Sequence, residues 1–126
     1  MYEYKKEFNG SFKQACEKAA EELKKEGFGI LTEIDVKKTL KKKLNEEFDN
    51  YKILGACNPV FAFKALNAEK EIGLFMPCNV IVFEDKEKVF VSAVLPSIMM
   101  NIVENEKLEK LAVEVEIKLK KVIDEL

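Results

Sequence analysis

CNVIVFEDKEKVFVSAV, residues Cys78–Val94, is the most informative segment for assigning this chain to a fold class. Two runs rich in valine and phenylalanine, Cys78–Phe83 and Lys88–Val94, flank the charged segment Glu84–Glu87. Apolar runs of this length, joined by a short polar segment, are typical of a β-hairpin. We therefore expect an antiparallel pair of strands, and the remaining segments must supply its neighbours and its cover.

Three upstream segments have the pattern of further strands. Met1–Phe8 alternates loosely, Phe28–Ile34 alternates more clearly, and Tyr51–Ala56 is a short apolar run. Alternation with a period of two indicates a strand that covers one face and exposes the other. Together with the hairpin, these segments predict a mainly antiparallel sheet of about five strands.

Helices are expected between these strands. The first is capped by Ser11 and ends at Gly27, with a clear helical period of apolar residues between them. A short helix rich in lysine follows Asp35, which can cap it. A third begins at Asn58 and Pro59, where asparagine is a favourable N-cap and proline a favourable first helical residue.

The final helix, Glu106–Leu126, is the longest and bears on assembly. Val113 and Ile117 lie nearly opposite its apolar stripe, and we expect a second chain to cover them. The stripe itself has the helical period and is expected to cover the sheet; its members are Leu108, Leu111, Ala112, Val115, Leu119, Val122 and Leu126. The chain is thus predicted to be a single α+β domain over residues 1–126, with helices packed on the sheet.

The composition disfavours several classes of partner and location. All 21 basic residues are lysine and the formal net charge is -2, so the chain has no guanidinium group to grip phosphates. We expect no nucleic-acid partner. No apolar run is long enough to cross a bilayer and no signal-peptide core is visible, so we expect a cytoplasmic protein without a membrane partner. Three cysteines, an odd number, do not indicate a disulfide scaffold.

Common catalytic signatures are absent. The chain has no histidine, which excludes Ser-His-Asp and Cys-His arrangements. The segment Gly27–Gly29 precedes a strand and does not join a strand to a helix, so it lacks the context of a dinucleotide-binding loop. No motif assigns a cofactor.

Two cysteine–asparagine pairs beside proline, Cys57-Asn58-Pro59 and Pro77-Cys78-Asn79, carry the remaining chemical information. In a structural interpretation, they mark the start of a helix and of a strand, and both cysteines fill small gaps in the packing. In a thiol interpretation, Cys57 lies near the positive end of a helix and acts as a thiolate, with Cys78 as its resolving partner.

A metal interpretation is also open. Cys57 and Cys78 supply too few ligands for a closed tetrahedral site. A twofold axis could bring four thiolates together, or methionine sulfur atoms could complete a Cu(I) site. The methionines in question are Met76, Met99 and Met100.

Three motifs, Glu26–Val36, Tyr51–Pro59 and Glu71–Val80, resemble in order and spacing the family known as domain of unknown function 302. The resemblance spans nearly the whole chain. It implies a small α+β domain of the TATA-binding-protein-like fold class, commonly a homodimer, and it implies neither DNA binding nor an established activity. It also implies where a site should be sought, at Thr32, Glu33, Asp35, Gly55, Cys57, Asn58, Pro59, Pro77, Cys78 and Asn79.

Two hypotheses on function follow. The first is a homodimeric ligand-binding or interaction module for a small molecule, whose pocket is lined by motif residues. The second is a thiol-dependent redox or metal-handling protein that uses Cys57 and Cys78. Taken together, the candidate site residues are Glu33, Asp35, Cys57, Asn58, Cys78 and Asn79, of which the second hypothesis needs Cys57 and Cys78.

Overall fold

The computed structural model describes all residues from 1 to 126 and contains one five-stranded sheet. The strands are β1 (Glu3–Phe8), β2 (Gly29–Asp35), β3 (Tyr51–Cys57), β4 (Cys78–Asp85) and β5 (Lys88–Val94). Their order across the sheet is β1-β5-β4-β3-β2, and each adjacent pair is antiparallel. The predicted α+β class and antiparallel sheet are therefore confirmed.

Four α-helices and two 3₁₀ helices connect and cover the strands. They are α1 (Phe12–Lys25), α2 (Val36–Leu44), α3 (Pro59–Ala68), α4 (Glu106–Asp124), the first 3₁₀ helix (Lys70–Phe75) and the second (Pro96–Asn101). Helix α1 joins β1 to β2, which lie at opposite edges, so it crosses the sheet. None of the helices combines the length and the apolar composition that crossing a membrane requires.

Side-chain caps explain where three helices begin. Ser11 Oγ accepts a hydrogen bond from the Gln14 backbone N–H at 3.1 Å, and Gln14 Oε1 accepts one from the Ser11 N–H at 2.9 Å. This capping box satisfies two donors at the start of α1. Asp35 Oδ1 accepts from the third backbone N–H of α2, and Asn105 Oδ1 accepts from the second and third of α4.

The hydrophobic core lies between one face of the sheet and helices α1 and α4. Every second residue of the central strands points into it, because successive side chains of a strand alternate between faces. The helices contribute residues spaced by three or four positions. Its most deeply buried large side chains are Leu23, Val80, Val82, Val91, Leu119, Val122 and Ile123.

The opposite face of the sheet carries a row of aromatic rings. Tyr51, Phe83 and Phe90 occupy paired positions on β3, β4 and β5. Their ring centroids are 5.6 and 5.4 Å apart, and Lys5 Nζ lies 5.5 Å from the centroid of Phe90. Stacked pairs of this kind contribute about 0.5–1.5 kcal/mol each beyond the burial of their area.

The β4–β5 hairpin closes more tightly than the sequence indicates. The strands extend to Asp85 and from Lys88, so that only Lys86 and Glu87 form the loop. Their φ angles are 51° and 68°, and positive φ at both positions is the geometry of a type I′ turn. The twist of such a turn matches the twist of the strands it joins.

A β-bulge and a glycine shape the pairing of β2 with β3. The register shifts between Ile30 and Thr32, which leaves Leu31 between them with 67% of its surface exposed. Thr32 is paired with Gly55, where an added Cβ would overlap Thr32 Oγ1 and lie 2.9 Å from Pro77 Cγ. This position therefore accepts no side chain without displacement of its neighbours.

We expect Gly55→Ala to lower the free energy of unfolding by about 1–3 kcal/mol, the usual cost of inserting a methyl group into a packed site. Urea denaturation of the full chain measures this change. Gly29→Ala is the matched control, because a Cβ at Gly29 meets no atom within 4 Å. Equal stability of the two variants would contradict the packing constraint.

Candidate functional site

An apolar cavity of about 100 Å³ lies at the end of the sheet where β3 stops and β4 starts. None of its lining residues is charged, and Asn58 is its one amide side chain. The lining consists of Phe28, Ala56, Cys57, Asn58, Phe61, Ala62, Ala65, Ile72, Phe75, Met76, Pro77, Cys78, Pro96, Met99, Met100, Leu108, Leu111, Ala112 and Val115. A molecule inside this cavity would meet hydrocarbon and sulfur on nearly every side.

Regular elements position the walls of the cavity. Ala56 and Cys78 are paired residues of β3 and β4. Helix α3 turns Phe61 and Ala65 towards the cavity, one helical turn apart. The N-terminal half of α4 presents the first residues of its stripe there, and the two 3₁₀ helices close the remaining sides.

The cavity has a buried inner part and a partly exposed rim. Ala56 and Leu108 are almost wholly buried, at 0% and 2% exposure. Phe75, at 37%, is its one exposed lining residue, and Met99 and Met100 are among the half-buried ones.

Asn58 occupies the N-cap position of α3 but its side chain does not cap the helix. Its Nδ2 instead donates to the backbone carbonyl oxygen of Glu26, at the end of α1, over 3.2 Å. Gly27, with a φ of +87°, brings the chain close, and an added Cβ there would lie 3.1 Å from Asn58 Nδ2. Asn58 thus fastens the α1–β2 connection to the wall of the cavity.

The two cysteines of the cavity are free thiols. Burial raises the pKa of Cys78 to about 11, and the negative charge of a Cys57 thiolate adds to the increase. The two groups are therefore close enough to interact electrostatically. At neutral pH the Cys78 thiol is protonated and adds no charge to the cavity.

The cavity brings together three of the six candidate site residues, namely Cys57, Asn58 and Cys78. The carboxylate of Glu33 lies outside it, 2.7 Å from Lys52 Nζ, and this hydrogen bond raises the pKa of Lys52. Asp35, described above as the cap of α2, also lies elsewhere. Asn79 is exposed to solvent and lines no part of the cavity.

Most of the apolar wall is not among the sequence candidates. Phe28 and Phe61 are examples, as is the first 3₁₀ helix, whereas Met99 and Met100 of the second were predicted only as possible metal ligands. The signal that could have identified α3 is its composition, since Lys64 is its only charged residue. A helix that is apolar on nearly all sides needs contacts on more than one side.

No group of three or more histidine, cysteine, aspartate or glutamate side chains is arranged to hold a metal ion. The sulfur-bearing residues that line the cavity are Cys57, Cys78, Met76, Met99 and Met100.

Comparison with known proteins agrees with this architecture. The crystal structure of the uncharacterized conserved protein DUF302 from Bacillus stearothermophilus is similar to this chain with a TM-score of 0.92 and 27% sequence identity. The alignment covers 98% of this chain and 97% of that one. No curated protein matches. The profile of the family described as "Domain of unknown function DUF302" matches residues 4–126, and this chain therefore belongs to the DUF302 family.

Proposed function

We propose that this protein is a cytoplasmic, homodimeric binding module that holds a small, neutral, apolar molecule in the cavity. The observation that supports the proposal most strongly is the lining itself, which has no charged residue among its 19 members. Binding sites for small molecules are typically concave and mostly apolar, with a few polar groups that orient the ligand. Asn58 and the protonated Cys78 thiol are the polar groups available here.

The size of the cavity limits the class of ligand. A volume of about 100 Å³ is somewhat smaller than the apolar cavities of about 150 Å³ that take up benzene or xenon in proteins. The ligand, or the part of it that enters, is therefore no larger than one small ring or a short branched alkyl group. A charged group would lose its hydration without gaining a partner, so it is disfavoured.

The homodimer is supported by the outer surface of α3. Val60, Phe63 and Leu66 are exposed by 60, 71 and 41%, although they belong to a helix with a single charged residue. A second copy is the partner that fits best, because a twofold axis brings the same apolar surface to both sides of the contact. The predicted contact at Val113 and Ile117 of α4 is a second location, since both are exposed.

A thiol-dependent function for Cys57 and Cys78 has less support. A nucleophilic cysteine requires the thiolate, and burial acts against the thiolate of Cys78. No basic side chain lines the cavity to offset this effect.

Benzene tests the binding site directly. We expect saturating benzene to raise the melting temperature of the wild-type protein, since a ligand that binds only the folded state stabilises it. Ala112→Leu should abolish this increase, because Ala112 lines the cavity and is 6% exposed. Ala20→Leu on α1, outside the cavity, is the control and should keep it.

Circular dichroism of the variants separates loss of binding from loss of fold. A shift of equal size in folded Ala112→Leu, or no shift in the wild-type protein, would reject the cavity as the binding site.

Alkylation by iodoacetamide, followed residue by residue with mass spectrometry, tests the state of Cys78. Its folded pKa of about 11 lies above its usual value of 9.0, so the folded state keeps the proton between these values. We expect the alkylation rate to rise about tenfold per pH unit until about pH 11. The free energy of unfolding should fall as pH rises from 9.0 to about 11, because only the unfolded state loses the proton there. Rapid alkylation of the folded protein at pH 7 would instead favour the thiol-dependent function.

Sedimentation equilibrium at micromolar concentration tests the assembly. We expect a dimer that Phe63→Glu converts to a monomer, because a buried carboxylate at the centre of an apolar contact has no partner. Leu44→Glu at the end of α2, where leucine is 65% exposed, is the control and should remain dimeric. If Ile117→Glu dissociates the dimer and Phe63→Glu does not, the contact lies on α4. A monomeric wild-type protein would reject the homodimer.

A further inference from the structure

The sulfur atoms of this protein are concentrated at one place. The chain has three cysteines and four methionines, and all of them except Cys16 and Met1 line the cavity. They come from three segments that are distant in sequence: the end of β3, the connection into β4, and the second 3₁₀ helix. We propose that these side chains form a binding site for a single soft monovalent metal ion, Cu(I).

The topology accounts for the convergence. Cys78 is paired with Ala56 across adjacent strands, which lie about 4.8 Å apart. Cys57 is the last residue of β3, and it lines the same cavity at the point where that strand ends. Met76 precedes Cys78 by two residues, across the cis Met76–Pro77 peptide bond. Strand β5 pairs with β4, so the 3₁₀ helix that carries Met99 and Met100 starts at the same end of the sheet.

The choice of metal follows from the donor atoms. Thiolate and thioether sulfur are soft ligands that select Cu(I), whereas Mg²⁺, Ca²⁺ and Mn²⁺ prefer oxygen. No carboxylate lines the cavity, and the chain has no histidine. Zn²⁺ requires about four nitrogen, oxygen or thiolate ligands, and the cavity offers two thiols.

Charge balance favours the same ion. Binding of Cu(I) to one thiolate, with neutral thioethers as further ligands, gives an assembly without net charge, which suits a lining without charged residues. The thiol that becomes a ligand releases its proton to solvent, and no electron is transferred. The half-buried Met99 and Met100 can adjust their side chains around the ion, because methionine has three rotatable bonds.

This site is independent of the proposed apolar ligand, although it occupies the same cavity. Filling by a metal ion requires the sulfur atoms, and filling by a hydrocarbon does not. The two proposals can therefore fail separately.

Competition with the chromophoric chelator bicinchoninate tests the inference on the reduced, full-length protein without oxygen. We expect one Cu(I) per chain. Removal of a ligand should weaken binding by at least the roughly 10–100-fold that the loss of an outer-shell partner costs in metal sites. Cys78→Ser and Met99→Leu/Met100→Leu are the test variants, and Cys16→Ser is the matched thiol control that should bind as the wild-type protein does.

The methionine variant decides between a built site and simple capture by thiols. Wild-type affinity in Met99→Leu/Met100→Leu, equal loss in Cys16→Ser, or no competition by the wild-type protein would each overturn the proposal. Circular dichroism of each variant separates a weaker affinity for Cu(I) from a loss of fold.

Discussion

Helix α4 lies along the sheet with one continuous apolar stripe. The two halves of that stripe pack against different parts of the fold, and the rest of the structure depends on this difference. Its C-terminal half supplies Leu119, Val122 and Ile123 to the closed core shared with α1. Its N-terminal half presents Leu108 and Ala112 to the cavity, which no residue of α1 lines. Core and cavity are therefore two parts of one layer between helix and sheet, one filled by side chains and the other left partly empty.

Local signals in the sequence predicted the elements well. Ser11 and Asp35 cap helices as expected, because a short polar side chain can satisfy the first free N–H groups of a helix without help from the rest of the fold. The hairpin was equally clear. Features that depend on distant contacts were not, namely the bulge beside Leu31 and the bond from Asn58 to Glu26. Both features depend on tertiary packing, which no single segment of the sequence encodes.

Only part of the candidate site could be predicted, and the reason is geometric. Cys78 and Asn79 are neighbours in a strand, and strand neighbours point to opposite faces. A cysteine that lines the cavity therefore directs the following asparagine away from it. The alternation does not apply to Cys57 and Asn58, because β3 ends at Cys57 and α3 begins directly after Asn58. Glu33 lies on the edge strand β2, where Lys52 satisfies its charge. What the sequence could not reveal is the helical side of the cavity, since α3, α4 and both 3₁₀ helices meet there only in the folded chain.

Thr32, Gly55 and Pro77 lie together, and each comes from a different one of the three segments that carry the resemblance to the family. A methyl group at position 55 would need both neighbours to withdraw, and neither alone can make the room. We therefore expect a homologue that carries alanine at position 55 to differ at both of its neighbours, positions 32 and 77.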